Sequence, residues 1–224
     1  MAAETDSRKT DLLNNNPLEI ELATTLLYGH CHYSYRQLRR AVEAAGDARR
    51  REIIDLGLRH RGKHDELPRA FSAGQQFRFD ILMDIGGFRD MHRHRRCIQI
   101  MQDFTTVHGY DTPPEVDAAG IHAEYANAMQ RAASAVKQLA EAGGAEAHEN
   151  AQYAIPLAFR KRTLFKMDFA EAVYISELRT TPAGHASYRN VAYAMYEAVA
   201  KKYPALAKYF RVVDVREPVD LLKR

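Results

Sequence analysis

"QQFRFDILMDIGGFRDMHRHRRC", residues Gln75 to Cys97, is the stretch on which the reading of the chain turns. Phe77, Phe79 and Ile81 alternate with polar neighbours, the period-two pattern of a half-buried strand. Gly86-Gly87 stop that strand. From Phe88 onward the sequence predicts a helix that runs at least through Cys97 and carries Arg93.

The flanks read mostly as helix. Asn16-Pro17, with Glu19 placed for a capping box, gives a helix start. From there "PLEIELATTLLYGHCHYSYRQLRRAVEAAG" reads as one long helix closed by Gly46, and "DARRREIIDLGLRHRG" as a second, more charged one. Pro68 in "KHDELPRAF" breaks it. Residues 1–15 are polar and expected to be a flexible segment. Downstream, "GYDTPPEV" reads as a turn-rich loop, and Glu115 to Ala142 as an alanine-rich helix ended by "GGAEAHEN". "YAIPLAFRKRTLFKMDF" reads as one or two strands with a proline interruption. A helix pair interrupted around Thr181-Pro182 follows, with Tyr188, Val191, Met195 and Val199 as a buried stripe of the second member. There is no internal repeat or low-complexity linker. The expected fold is α/β (α+β): one helix-rich domain over residues 16–224 with a small central sheet.

Composition narrows the class. Of 224 residues, 46% are hydrophobic and 27% charged, as in ordinary globular proteins. A net charge of +3 is too mild for a dedicated nucleic-acid binder. No apolar run approaches the roughly 20 residues of a membrane span, and the N-terminus lacks a signal peptide's apolar segment. Cys31 and Cys97 are the only cysteines, which excludes a disulfide framework and makes a reducing cytoplasm the expected compartment.

Three chemistries compete for the histidine- and arginine-rich segment. His30, Cys31 and His32, or His92, His94 and Cys97, suggest a metal. Neighbours two apart on a helix point to different faces, however, and flanking arginines repel a divalent cation. Arg89, Arg93, Arg95 and Arg96 suggest nucleic acid, but the segment lacks interleaved aromatics, and the other basic clusters alternate with acids. A grip on a phosphorylated small molecule or dinucleotide fits better. The guanidinium offers a planar fork of donors, and a helix start adds backbone N–H groups. Arginines that are merely solvated remain the plain alternative.

Arg93-His94-Arg95, reached from a strand through a short turn, resembles the Arg-His-Arg signature of the flavin-dependent thymidylate synthases. "GKHDELPRAF" followed by "QQFRF" is similar to that family's Gly-His-x-Ser/Thr-Pro segment and Phe-x-Phe strand. "HGYDTPPEV" resembles its aromatic-and-proline loop, and "FKMDFAEAVYISELRTTPAGHASYRNVAYAMYEAVAKKYP" its Leu-Arg helix and the helix after it. The resemblance spans roughly His64 to Pro204. It implies a homotetramer with FAD at subunit contacts, and reductive methylation of dUMP with methylenetetrahydrofolate as carbon donor and NADPH as reductant. By position it assigns His64, Arg93, His94, Arg95, Asp168 and Tyr174 to the cofactor. Asp90, Arg93, Gln152 and Arg179 fall to the nucleotide, with Arg179 as the catalytic candidate.

The chain also departs from the family pattern. Ile98 and Met101 stand for a serine and a glutamate, and Asp103 for a second serine whose following arginine is absent. Asp90 replaces a glutamine and Gln152 an arginine. Carboxylates repel a phosphate, so the cofactor side is expected to be better kept than the nucleotide side. Two readings follow: an enzyme of this kind acting on dUMP or a related substrate, or a flavin-binding homologue repurposed as a scaffold or for another small molecule.

Overall fold

The computed structural model describes residues 10–12, 17–31, 33–72, 77–144 and 146–217. Asn16, His32 and residues 1–9 and 13–15 of the segment expected to be flexible lie outside them. Thr10–Leu12 form strand β1.

Helices α1 (Leu18–Tyr28), α2 (Tyr35–Ala44) and α3 (Gly46–Leu58) follow. The single long helix expected over this stretch is two. α1 ends at Gly29, and Ser34 opens α2 with a complete capping box, in which the Gln37 side chain accepts from the Ser34 backbone. The Ser-x-x-Gln pattern that marks a helix start thus outweighs the continuous apolar periodicity. Gly46, at φ +75°, makes the corner into α3, a conformation that side chains rarely tolerate.

A single 3-10 turn (Arg69–Phe71) leads toward β2 (Phe77–Asp84), the strand expected from period two. α4 (Ile85–Met91) follows at once, then β3 (Ile98–Met101). The helix expected through Cys97 therefore stops at Met91, and Arg93 lies in a turn. Gln99 explains the stop. Its amide donates to the His94 carbonyl at 3.0 Å, and its oxygen meets His92 Nδ1 at 2.8 Å. These bonds hold the carbonyls of residues 92–94 in a turn that a continued helix would not allow.

Next come α5 (Pro114–Ala118), α6 (His122–Glu141) and α7 (Ala147–Gln152). Gly120, at φ +70°, splits the helix expected from Glu115 to Ala142. β4 (Arg160–Met167), α8 (Phe169–Arg179), α9 (Ala186–Lys202) and α10 (Pro204–Ala207) complete the chain. The break at Thr181-Pro182 falls between α8 and α9, as expected.

The fold is helix-rich α+β. Its sheet has the order β1-β2-β4-β3, all pairs antiparallel, with Phe77 opposite Met167 and Asp84 opposite Arg160. β4 alternates strictly, burying Lys161, Thr163, Phe165 and Met167. The main core joins Phe77, Phe79, Phe165 and Phe169 to Val191, Met195 and Val199 of α9. A smaller core lies under α6 and α7 around Val136, Ile155 and Phe159. β1 and β3 are the edge strands, and Ile98, Ile100 and Met101 of β3 are all about half exposed.

Candidate functional site

Three elements meet at His94. The turn after α4 carries His94 itself, the end of α4 supplies Asp90, and α8 contributes Glu171, Tyr174 and Arg179. Positions 171, 174 and 178 share one helix face, with Arg179 beside them in the last turn, where a cation suits the helix dipole.

His94 is 6% exposed. Arg179 Nε lies 2.8 Å from His94 Nε2. A guanidinium nitrogen can only donate, so Nε2 is the acceptor, and the ring proton sits on Nδ1. Nδ1 faces Glu171 Oε1 at 3.7 Å, and Tyr174 meets the imidazole edge-on at 5.8 Å between ring centres. Glu171 thus defines the orientation of the ring from one side and Arg179 from the other. Arg179 also donates to the Asp90 carbonyl at 2.9 Å and lies over the Tyr188 ring at 5.4 Å. Its charge stands 3.9 Å from the Asp90 carboxylate.

The remaining candidates fall into three places. Arg93 and Arg95 are exposed, and Arg93 is 3.4 Å from Asp90. Asp168 caps α8 by accepting from Glu171 N at 2.8 Å and pairs with Arg96 at 2.8 Å, and Arg96 also donates to Ser72. His64 is exposed and shares with Tyr174 a cleft of about 440 Å³ floored by Leu67 and Val173 and bordered by Lys63. Gln152 does not join the His94 cluster. Its side chain accepts from Phe104 N at 2.9 Å and lines a separate cleft of about 490 Å³ with Thr105, Thr106 and Lys137.

Glu171 and Gln99 were not among the residues singled out from sequence. Glu171 follows Asp168 at capping-box spacing, which marks a helix start and hides the buried role. Asp103, one of the acids expected to oppose a nucleotide, stands near Lys161, whose ammonium is enclosed by Phe104 at 3.7 Å and lowered in pKa by burial, the nearby Asp103 working the other way. Among the described residues no group of three or more His, Cys, Asp or Glu is placed to hold a metal ion, and no helix is long and apolar enough to cross a membrane.

Cys97 backs the turn, its thiol donating to the His94 carbonyl at 2.9 Å. Burial pushes that thiol up to about 11. Only about one part in a thousand is thiolate at pH 8, and the thiolate is the nucleophile. Iodoacetamide at pH 8 is therefore expected to alkylate Cys31 at least tenfold faster than Cys97, as read by peptide mass spectrometry. Equal rates would show that the turn opens readily in solution.

The sequence profile of a family described as "Thymidylate synthase complementing protein" matches residues 14–205. A UPF0159 protein of Chlamydia muridarum is 31% identical over 198 residues, covering 88% of this chain and 36% of that protein. A UPF0159 protein of Thermoplasma acidophilum is 36% identical over 137 residues, covering 61% of this chain and 27% of its own length. The chain spans between about a quarter and about a third of the length of the curated relatives it matches. With the profile running across α4, the Arg-His-Arg turn and α8, which build the His94 cluster, the chain belongs to the thymidylate synthase complementing protein family, the family to which the sequence resemblance pointed.

Proposed function

We propose that this chain binds FAD beside the His94 turn and serves a thymidylate synthase-like transfer, the reductive methylation of dUMP or a related substrate with methylenetetrahydrofolate. The observation that carries the reading is the convergence of His94, Tyr174 and Arg179 from separate elements onto one polar cluster next to the His64 cleft. The cleft suits such a cofactor. Leu67 and Val173 offer an apolar floor for a ring system, and Lys63 and His64 offer cationic or donor groups for a diphosphate, with the exposed Arg93 and Arg95 on the turn outside the cleft. When bound, FAD supplies the electron transfer that the methylation needs, with NADPH as the source of electrons.

The protein's own part is positioning and charge. Glu171 and Arg179 hold the His94 ring in one tautomer, and Arg179 presents its remaining donors toward an anionic or carbonyl-bearing substrate. Asp90 works against a phosphate there. Weak binding of dUMP is therefore expected beside firm binding of FAD. Arg93→Ala and His94→Ala are each expected to weaken FAD at least fivefold by calorimetry, because the first removes an exposed cation of the turn and the second removes the ring against which Tyr174, a residue of the cleft, packs. A colourless protein that takes up no FAD would end the reading, and tight dUMP binding with thymidylate formation would show that the acids matter less than argued. Asp168 and Tyr174 complete the cofactor assignment.

A specific observation favours the second reading, a flavin-binding homologue without this activity. Arg179 is already engaged by His94 Nε2 and the Asp90 carbonyl, so the group assigned to the nucleotide is held by its neighbours. Thymidylate formation in a coupled assay separates the two. We further propose a homo-oligomer, a tetramer, covering the half-exposed Ile98, Ile100 and Met101 of the edge strand β3. A monomer by light scattering at micromolar concentration would remove both the assembly and a cofactor site shared between subunits. A cytoplasmic location belongs to the same proposal.

A further inference from the structure

A different cavity, of about 470 Å³, opens where the end of β2, the 111–113 loop with the start of α5, and the first turn of α9 come together. None of His64, His94, Tyr174 or Arg179 lines it. Two of its lining side chains carry buried polar atoms without a hydrogen-bond partner, Asp84 Oδ2 and Arg189 Nη2. Both residues are 7% exposed. Buried polar groups are paired in the great majority of cases, so two orphans on side chains that line one cavity call for a reason.

Each orphan belongs to a side chain that is already pinned. Asp84 Oδ1 accepts from Gly87 N at 2.7 Å, capping α4 and leaving Oδ2 over. Arg189 Nε donates to the Thr180 carbonyl at 3.1 Å, leaving Nη2 over. Neither group can swing away to find water without giving up that bond. Gly87 packs against two of the lining residues, Asp84 and Ser187. A Cβ there would stand 2.5 Å from Ser187 Oγ and 3.0 Å from Asp84 Oδ2, so glycine lets both oxygens approach the same point.

Charge then selects the ligand. Asp111 is neutralised by Arg160 at 2.7 Å, which leaves Asp84 and Glu115 against Arg189 and His185. A simple anion would be opposed by the two acids, and a simple cation by the arginine and the histidine. An uncharged group with both a donor and an acceptor meets no such opposition. Burial raises the pKa of Asp84, with the bond from the Gly87 N–H working the other way. Pro113, Pro114, Ala158 and Pro182 supply flat apolar surface on the same walls.

We propose that this cavity binds a neutral, flat small molecule bearing an amide-type edge, whose N–H meets Asp84 and whose C=O meets Arg189. The site stands apart from the flavin reading and does not depend on it.

Three probes of one shape test it. Benzamide carries a donor and an acceptor, benzoate only acceptors, and benzamidine only donors. Titrated into the full chain and followed by amide chemical shifts, benzamide is expected to bind saturably and at least fivefold more tightly than either analogue. Asp84→Leu is expected to abolish that preference. Because Asp84 also caps α4, Ala186→Trp serves as the second variant. Position 186 is exposed at the cavity and its side chain supports nothing beneath it, so the indole blocks entry while the fold stays intact. Loss of benzamide binding in Ala186→Trp sustains the proposal even where Asp84→Leu does not fold. Failure of all three probes would mean that ordered water satisfies both atoms, and the proposal falls. It falls equally if benzoate or benzamidine binds best, or if Ala186→Trp binds benzamide like the parent chain.

Discussion

Phe169→Ala is expected to destabilise the domain by about 3–5 kcal/mol, the range for deleting a fully buried aromatic ring. Phe169 is 0% exposed and touches three other rings, Phe71 at 6.1 Å, Phe77 at 6.1 Å and Phe210 at 5.7 Å between centres. Those partners come from the 3-10 turn, from β2 and from the chain after α10. The side chain therefore fills the point where the sheet, α8 and the C-terminal segment are fastened together. None of the three can collapse into the hole without leaving its own element, so the cavity stays open. For a chain of this length the loss corresponds to a fall in Tm of roughly 6–20 °C in a thermal scan. A fall below about 3 °C would show that the cluster repacks.

The second large effect concerns the clamp beneath the His64 cleft. Arg61 grips Glu177 with two nitrogens, at 2.8 and 3.2 Å, and donates to the Tyr209 carbonyl at 2.9 Å. Glu177 in turn accepts from Arg211 N at 3.0 Å. The side chains are 6% and 20% exposed, so water solvates neither partner well if the other is removed. Glu177→Ala is expected to cost about 3 kcal/mol, the lower end for breaking a buried pair, because the guanidinium left behind is uncompensated. Replacing both residues, Arg61→Leu with Glu177→Leu, is expected to restore most of that stability. The comparison is a double-mutant cycle by urea unfolding. Equal losses in the single and double variants would show that the clamp holds through packing rather than charge.

The strand at Phe77–Asp84 and the buried face of α9 were legible because each rests on a local period that burial enforces. β2 buries Phe77, Phe79 and Ile81, and α9 buries Val191, Met195 and Val199. The helix ends were harder. The stop at Met91 depends on Gln99, a residue of the next strand, and the break after Tyr28 on a capping box within an otherwise continuous apolar pattern. Side-chain bonds of that kind compete with a helix without changing its periodicity. At the site, the Arg-His-Arg tripeptide drew attention to His94, but nothing in it indicates that the flanking arginines point to solvent while the histidine turns inward. The inward turn comes from Glu171 and Arg179, about 80 residues away along the chain, as judged from the contacts that join them to His94. The orphaned atoms of Asp84 and Arg189 had no signal in the sequence at all.

The order of the sheet bears on how the chain is made. β2 and β3 are separated by a short helix and a turn, yet neither pairs with the other, since β4 lies between them. Each must wait for residues 160–167, about 80 positions later for β2. At a synthesis rate of about 5–20 residues per second, the phenylalanine-rich β2 spends roughly 4–16 seconds without its central partner. During that interval a strand with the sequence "FRFDILMD" presents an open edge, a known hazard for association between nascent chains. Such distant pairing also slows folding, because the intervening loop must close before the contacts that reward it form. Yield of soluble protein is thus expected to be limited by the ribosome's progress from β2 to β4 rather than by the stability of the finished domain.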